Sequence, residues 1–265
     1  MASATVRIDD IDRVRLITFD RPEVLNAFDR ELYAAAAAAL DDAAGDDGIG
    51  AVVLTGAGRA FSSGQDLREM AGLAARMAAP GDGATGPPAD DGAPPASAFP
   101  AFVDAVQGFP KPLLAAVNGL VLGIGFTVLA HCDLVLVAEG ARLKTPFTEL
   151  GVAPEAASSY LFPLRLGWQR AAHVLFSSTW VSAEQLVEWG LALEVVPAGE
   201  VVERTLALAR DIAAHPLASL MATKRLMLDA QLPGVERARR QEDAAFAELL
   251  GARATAAALE GYATP

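Results

Sequence analysis

The feature that most constrains this chain is the alternation of two hydrophobic patterns. Short apolar runs rich in β-branched residues, Val14–Phe19 (VRLITF), Ala51–Thr55 (AVVLT), Leu113–Val117 (LLAAV) and Leu134–Ala138 (LVLVA), read as strands, and helix-like stretches lie between them. Arg30–Ala44 is an Ala-rich helix, and Asp66–Met77 is a helix opened by an Asp able to cap its free N–H groups. Gly123–His131 reads as a buried helix behind a glycine turn. From Ser182 onward the pattern is helical: Ser182–Trp189, Val201–Ala214, Ala218–Ala230 and Gln241–Leu250, punctuated by Pro216 and Pro233. Strands alternating with helices in this way predict an α/β domain.

Length and charge narrow the function. At 265 residues, with 52% hydrophobic and 20% charged residues, the chain can bury a full core without disulfides or a structural metal. A net charge of -12 disfavours general binding to nucleic acid or anionic membranes, so neither is expected as a partner. One cysteine, Cys132, and 3 histidines exclude a disulfide framework and a Cys/His zinc cluster. The first residues lack the apolar centre of a signal peptide, and the longest apolar candidate, Val117–Ala130, is interrupted by Asn118, Gly119, Gly123 and Gly125. The last residues carry no peroxisomal address, and a cytoplasmic location is the expectation. Met77–Pro100, rich in Pro, Gly, Ala and Asp, is expected to be a loop, either an inert insertion or a lid over a ligand.

Two segments carry candidate chemistry. In LTGAGRAFSSGQDLREM, residues 54–70, a strand and a glycine turn lead through Ser62-Ser63-Gly64-Gln65 into the helix at Asp66. In AVNGLVLGIGFTVLAHCD, residues 116–133, Gly123-Ile124-Gly125 stands at the mouth of a second helix. Such turns leave backbone N–H groups unpaired at a positive helix end. Two of them facing each other would aim two donors at one oxygen, although glycine turns of this kind also serve packing alone.

At these residues the chain resembles the enoyl-CoA hydratase/isomerase (crotonase) superfamily. The resemblance spans about Val14 to Leu228 and rests on RPEVLNAFD (Arg21–Asp29), AVVLTGAGRAFSSGQDL (Ala51–Leu67), KPLLAAVNGLVLGIGF (Lys111–Phe126), CDLVLVAEGARLKTPFTELGVAPE (Cys132–Glu155) and VSAEQLVEWGLALEVVP (Val181–Pro197). It implies a spiral of ββα units over residues 1–197, a C-terminal helical trimerisation region over 198–265, and a homotrimer or dimer of trimers. It also implies an acyl-CoA substrate whose thioester oxygen sits between the N–H groups of Gln65 and Ile124. No metal or redox cofactor is expected, since coenzyme A enters as part of the substrate and the thioester is the electron sink.

The two glutamates of the family's hydratases fall here on Thr127 and Phe147, neither of which exchanges protons near neutral pH. The following segment, residues 145–167, resembles instead the peroxisomal-type 3,2-enoyl-CoA isomerases, whose catalytic glutamate corresponds to Glu155. A single carboxylate suffices to move a double bond from β,γ to α,β, provided the dienolate is stabilised. Phe147, Tyr160 and Phe162 are expected to help desolvate it. Glu155 also suits a plain role as a first-turn helix acid. Glu149, Asp66, Asp133, His131 and Cys132 are read as structural.

Position in the family suggests Ser63, Gly64, Gly123 and Phe147 around the acyl thioester. Arg21, Arg68 and Lys224, with Arg225, are candidates for the CoA phosphates. The rival expectations are hydration by a rearranged site, a non-catalytic acyl-CoA-binding protein, and a hydrolase using Ser62 or Ser63, for which no His is recognisably placed.

Overall fold

The computed structural model describes residues 5–78 and 98–250 together with 252, 255 and 258; for 73–78 only the backbone is described. The predicted strands are present: β2 is Val14–Phe19, β3 Ala51–Gly56, β5 Leu113–Val117 and β7 Leu134–Ala138. With β1 (Val6–Ile11) and β10 (Glu194–Val196) they form a six-stranded sheet in the order β1-β2-β3-β5-β7-β10, parallel except for the β1–β2 pair. A second sheet is built from short strands that the sequence pattern did not mark: β4 (Ala60–Ser62), β6 (Leu120–Leu122), β8 (Arg142–Lys144) and β9 (Val181–Ser182). Strands of two or three residues are too short to show a period.

The helices are α1 (Arg30–Gly45), α2 (Leu67–Ala78), α3 (Ala98–Gln107), α4 (Ile124–Thr127), α5 (Phe147–Leu150), α6 (Ser158–Leu166), α7 (Trp168–Ser177), α8 (Ala183–Glu188), α9 (Val201–Ala213), α10 (Leu217–Asp229) and α11 (Leu232–Leu250). The chain repeats one unit: β3-β4-α2, β5-β6-α4 and β7-β8-α5 each give their first strand to the large sheet and their second to the small one. Asn118 ties successive units together, its Nδ2 donating to the carbonyls of Gly56 at 2.8 Å and Gly58 at 2.9 Å. The result is the repeated ββα arrangement that the resemblance implied.

The large sheet is apolar on both faces, which is why its strands read as unbroken runs. Leu113, Ala115 and Val117 of β5 join the main core, where α1 and α3 pack. Leu114 and Ala116 point the other way, with Val14, Leu16, Val53 and Leu136, onto Leu206, Ala209 and Ala213 of α9. Helix α9 therefore closes the sheet, and the region after residue 197 shares this core with the spiral. Among the described residues no helix is long and apolar enough to cross a membrane.

Two helix expectations are corrected. The helix expected over Gly123–His131 splits into α4 and a 3-10 turn, Val128–Ala130, with His131 N–H donating to the Val128 carbonyl at 3.0 Å. Helix α11 begins at Leu232 instead of Gln241, because Pro233 sits in its first turn, where a missing N–H costs nothing. Of the loop expected over Met77–Pro100, residues 79–97 lie outside the described residues, and Ala98–Pro100 already belong to α3.

Candidate active site

Strands β4 and β6 are parallel neighbours, so the chain leaves both at the same end of the small sheet. One exit runs through Ser63, Gly64 and Gln65 into α2, the other through Gly123 into α4. Gly64 has φ +88, and a Cβ there would stand 3.0 Å from the Leu122 carbonyl oxygen and 3.6 Å from Gly123 Cα. A Cβ on Gly123, at φ 50 and ψ -121, would stand 3.7 Å from Gly64 Cα. The two turns thus lie against each other, and both use backbone angles that side chains disfavour.

The first turn is held firmly. Ser63 N–H donates to the Leu25 carbonyl at 2.8 Å, and Ser62 Oγ accepts from Gly64 N–H at 3.1 Å while donating to the Asn26 carbonyl at 2.9 Å. Phe28 N–H donates to the Gly64 carbonyl at 2.7 Å, and Asp66 N–H to the Phe28 carbonyl at 2.9 Å. These bonds bracket Gln65 in a parallel bridge with Phe28, so the N–H of Gln65 faces away from Phe28. Ile124 opens α4, and its N–H has no acceptor within the helix. Among the described residues neither N–H has a hydrogen-bond partner.

Glu155 lies between α5 and α6 and is half-buried. Its segment is strained and clamped: Ala156 and Ala157 have φ 56 and φ 59, in the left-handed region. His131 Nε2–H donates to the Ala156 carbonyl at 2.8 Å; burial pushes this imidazole down to about 4, so it is neutral. Glu242 of α11 accepts from Ala157 N–H at 2.6 Å and from Ser159 N–H at 2.8 Å. The Glu155 carboxylate itself has no hydrogen-bond or ion-pair partner among the described residues, and burial, then the Glu242 charge, push it up to about 8. The Tyr33 phenol is pushed up by burial and then by Glu155 and Glu69, and its Oη donates to Gln65 Oε1 at 2.7 Å.

The remaining expected residues divide clearly. Ser63, Gly64 and Gly123 join Gln65 and Ile124 in the paired turns. Phe147 is buried in the core, and Thr127 is buried with its Oγ1 donating to the Ile124 carbonyl at 3.3 Å. Arg68 is exposed on α2. Arg21 is committed to Asp29 at 2.9 Å and lies 3.8 Å from Asp66, so its charge is answered within the fold. Lys224, expected at the nucleotide, is buried, 4% exposed, with Nζ 2.6 Å from Asp133 Oδ2.

The bland readings of Asp66, Asp133 and Glu149 hold. Asp66 Oδ1 accepts from Arg68 N–H at 3.0 Å, Asp133 Oδ2 accepts from Leu113 N–H at 2.8 Å, and Glu149 pairs with Lys144 at 2.7 Å. Cys132 is buried with its thiol pushed up to about 12 by burial, then by Asp133, and so is inert. Ser62 and Ser63 donate to main-chain carbonyls, which leaves the hydrolase reading without an activated nucleophile. Tyr33 and Glu242 were missed: neither stands in a motif, and only the fold brings them to the site.

A repeated ββα unit whose two glycine turns lie against each other, followed by a half-buried carboxylate without a partner among the described residues, is the arrangement of an acyl-CoA enzyme of the crotonase class. The profile described as enoyl-CoA hydratase/isomerase matches residues 11–263, and the chain belongs to that family. It is 34% identical over 218 residues, 82% of this chain and 79% of the other, to 1,2-epoxyphenylacetyl-CoA isomerase of Escherichia coli. It is also 34% identical over 195 residues, 74% of this chain and 58% of the other, to the peroxisomal enoyl-CoA delta isomerase 3 of Mus musculus. A solved enoyl-CoA hydratase/isomerase from Pseudoalteromonas atlantica superposes with a TM-score of 0.86 at 31% identity, covering 97% of this chain and 96% of the other.

Proposed function

We propose that this enzyme converts 3-enoyl-CoA to 2-trans-enoyl-CoA. The observation that carries the reading is Glu155, a carboxylate held without a partner among the described residues and pushed up to about 8, together with Thr127 and Phe147 at the positions where the resemblance implies a hydratase's acids. Glu155 removes a proton from the α carbon and the C–H electron pair moves into a dienolate. The negative charge gathers on the thioester oxygen, where the N–H groups of Gln65 and Ile124 receive it. Two main-chain donors held in place before the charge appears need no reorganisation when it does, and one such donor is worth about 3 kcal/mol in related sites. Glu155 then returns the same proton to the γ carbon. A base near 8 is well matched to this cycle, because it must both take and give a proton near neutral pH.

Ser63, Gly64 and Gly123 bring the backbone close enough for the thioester to enter. Arg68, exposed on α2 beside the first turn, and Arg225, exposed on α10, are the remaining candidates for the CoA phosphates. The same reading includes assembly as a homotrimer or dimer of trimers, supported by the apolar surface a single chain leaves open: Trp168 and Phe176 of α7 are each 74% exposed, and Leu226 of α10 is 69% exposed. The test of the reaction is direct. Purified protein should shift 3-hexenoyl-CoA to the conjugated isomer and hydrate crotonyl-CoA poorly; efficient hydration would overturn the assignment, and binding of acyl-CoA with neither reaction would make the protein a binding module.

A further inference from the structure

We propose that Glu242 is the positioning residue for Glu155: from helix α11 it grips the left-handed turn that follows the base and fixes where the base points. This rests on the isomerase reading of Glu155. Glu242 stands 87 positions further along the chain and is buried, 5% exposed. Its two oxygens take separate main-chain donors, Ala157 N–H at 2.6 Å and Ser159 N–H at 2.8 Å, so the carboxylate spans the entrance to α6 and caps it. The intervening backbone has little preference for this shape. Ala156 and Ala157 both sit in the left-handed region, at a cost of about 1 kcal/mol or more each for a residue with a Cβ. Strain of that kind persists only where neighbours hold it, and here the holders are Glu242 on one side and the His131 imidazole, on the Ala156 carbonyl, on the other.

Charge points the same way as geometry. Among the described residues Glu242 is the one charged group whose field, after burial, raises Glu155. Burial raises Glu242 as well, against the pull of its bonds to Ser159 and Ala157; Tyr33 of α1 is the other titratable group in electrostatic reach, and His131 behind the turn is neutral. One side chain therefore does two things to the base: it fixes the backbone that carries it, and it opposes its ionisation. Glu242 touches no reacting atom and is not a catalytic residue.

Glu242→Gln keeps the size of the side chain but leaves one oxygen for two donors and removes the charge. Turnover of 3-hexenoyl-CoA should fall about tenfold or more in kcat with KM within about threefold, since a small misplacement of a base is costly. The Glu155 carboxyl, followed by carbon-13 NMR and assigned by its loss in Glu155→Gln, should titrate at lower pH than in the parent. A merely structural role would lower thermal stability while leaving kcat per folded molecule and the titration as they were, and that result overturns the proposal. Should E242Q not fold, E242D, which keeps the charge but is one methylene short of both amides, takes its place; unchanged kcat there also overturns it. If the parent proves inactive on 3-enoyl-CoA, the isomerase reading falls and the titration alone decides on Glu242.

Discussion

Replacing Glu155 by Gln should make the folded protein more stable as it destroys the activity. A glutamate whose ordinary value is 4.5 and which the fold holds at about 8 resists ionisation in the native state by up to about 5 kcal/mol, at 1.36 kcal/mol per tenfold. The segment is only half-buried, and solvent at the carboxylate reduces the expected figure to about 2–3 kcal/mol. The sign follows from proton linkage. Between about 4.5 and 8 the native state binds more protons at this site than the unfolded chain, so the parent loses stability as pH rises through that window. Glutamine has no such dependence. Urea unfolding of both proteins from pH 5 to pH 9 should therefore give a difference that starts small, widens toward pH 8 and then levels off. Isomerisation should fall by about three orders of magnitude or more in E155Q, with acyl-CoA affinity retained. Parallel stability curves would refute the raised pKa, and a fully active variant would refute Glu155 as the base.

The same site makes other measurable demands. In the parent, kcat/KM for 3-enoyl-CoA should climb with pH and reach half its plateau near 8, because only the ionised base abstracts a proton; a profile flat from 6 to 9 would count against Glu155. Gly123→Ala places a Cβ at φ 50 and ψ -121, which should cost about 1–3 kcal/mol in unfolding measurements and, by shifting the Ile124 N–H, lower kcat about a hundredfold. Lys224→Met leaves Asp133 with only the Leu113 N–H, so stability should drop by about 2–3 kcal/mol while acyl-CoA affinity stays level in calorimetry. Weakened CoA binding at unchanged stability would restore Lys224 as a nucleotide contact.

The sequence by itself determined the four central strands of the large sheet, β2, β3, β5 and β7, and the two glycine turns, but not the outer strands β1 and β10. A run such as Leu113–Val117 is apolar at every position whichever neighbours it finds, and Gly64 and Gly123 announce backbone angles that other residues avoid. The small sheet was invisible because strands of two or three residues hold no period, and Pro233 misled because a proline that opens a helix reads like one that ends it. Lys224 looked like a free surface cation until folding set it on Asp133, 91 positions away. The raised base has the same origin: Glu155 is an ordinary acid in its local sequence, and burial together with Glu242 gives it its proton affinity. Local pattern specifies what the backbone can do, whereas charge energetics depend on distance and desolvation through space, and only tertiary structure sets those.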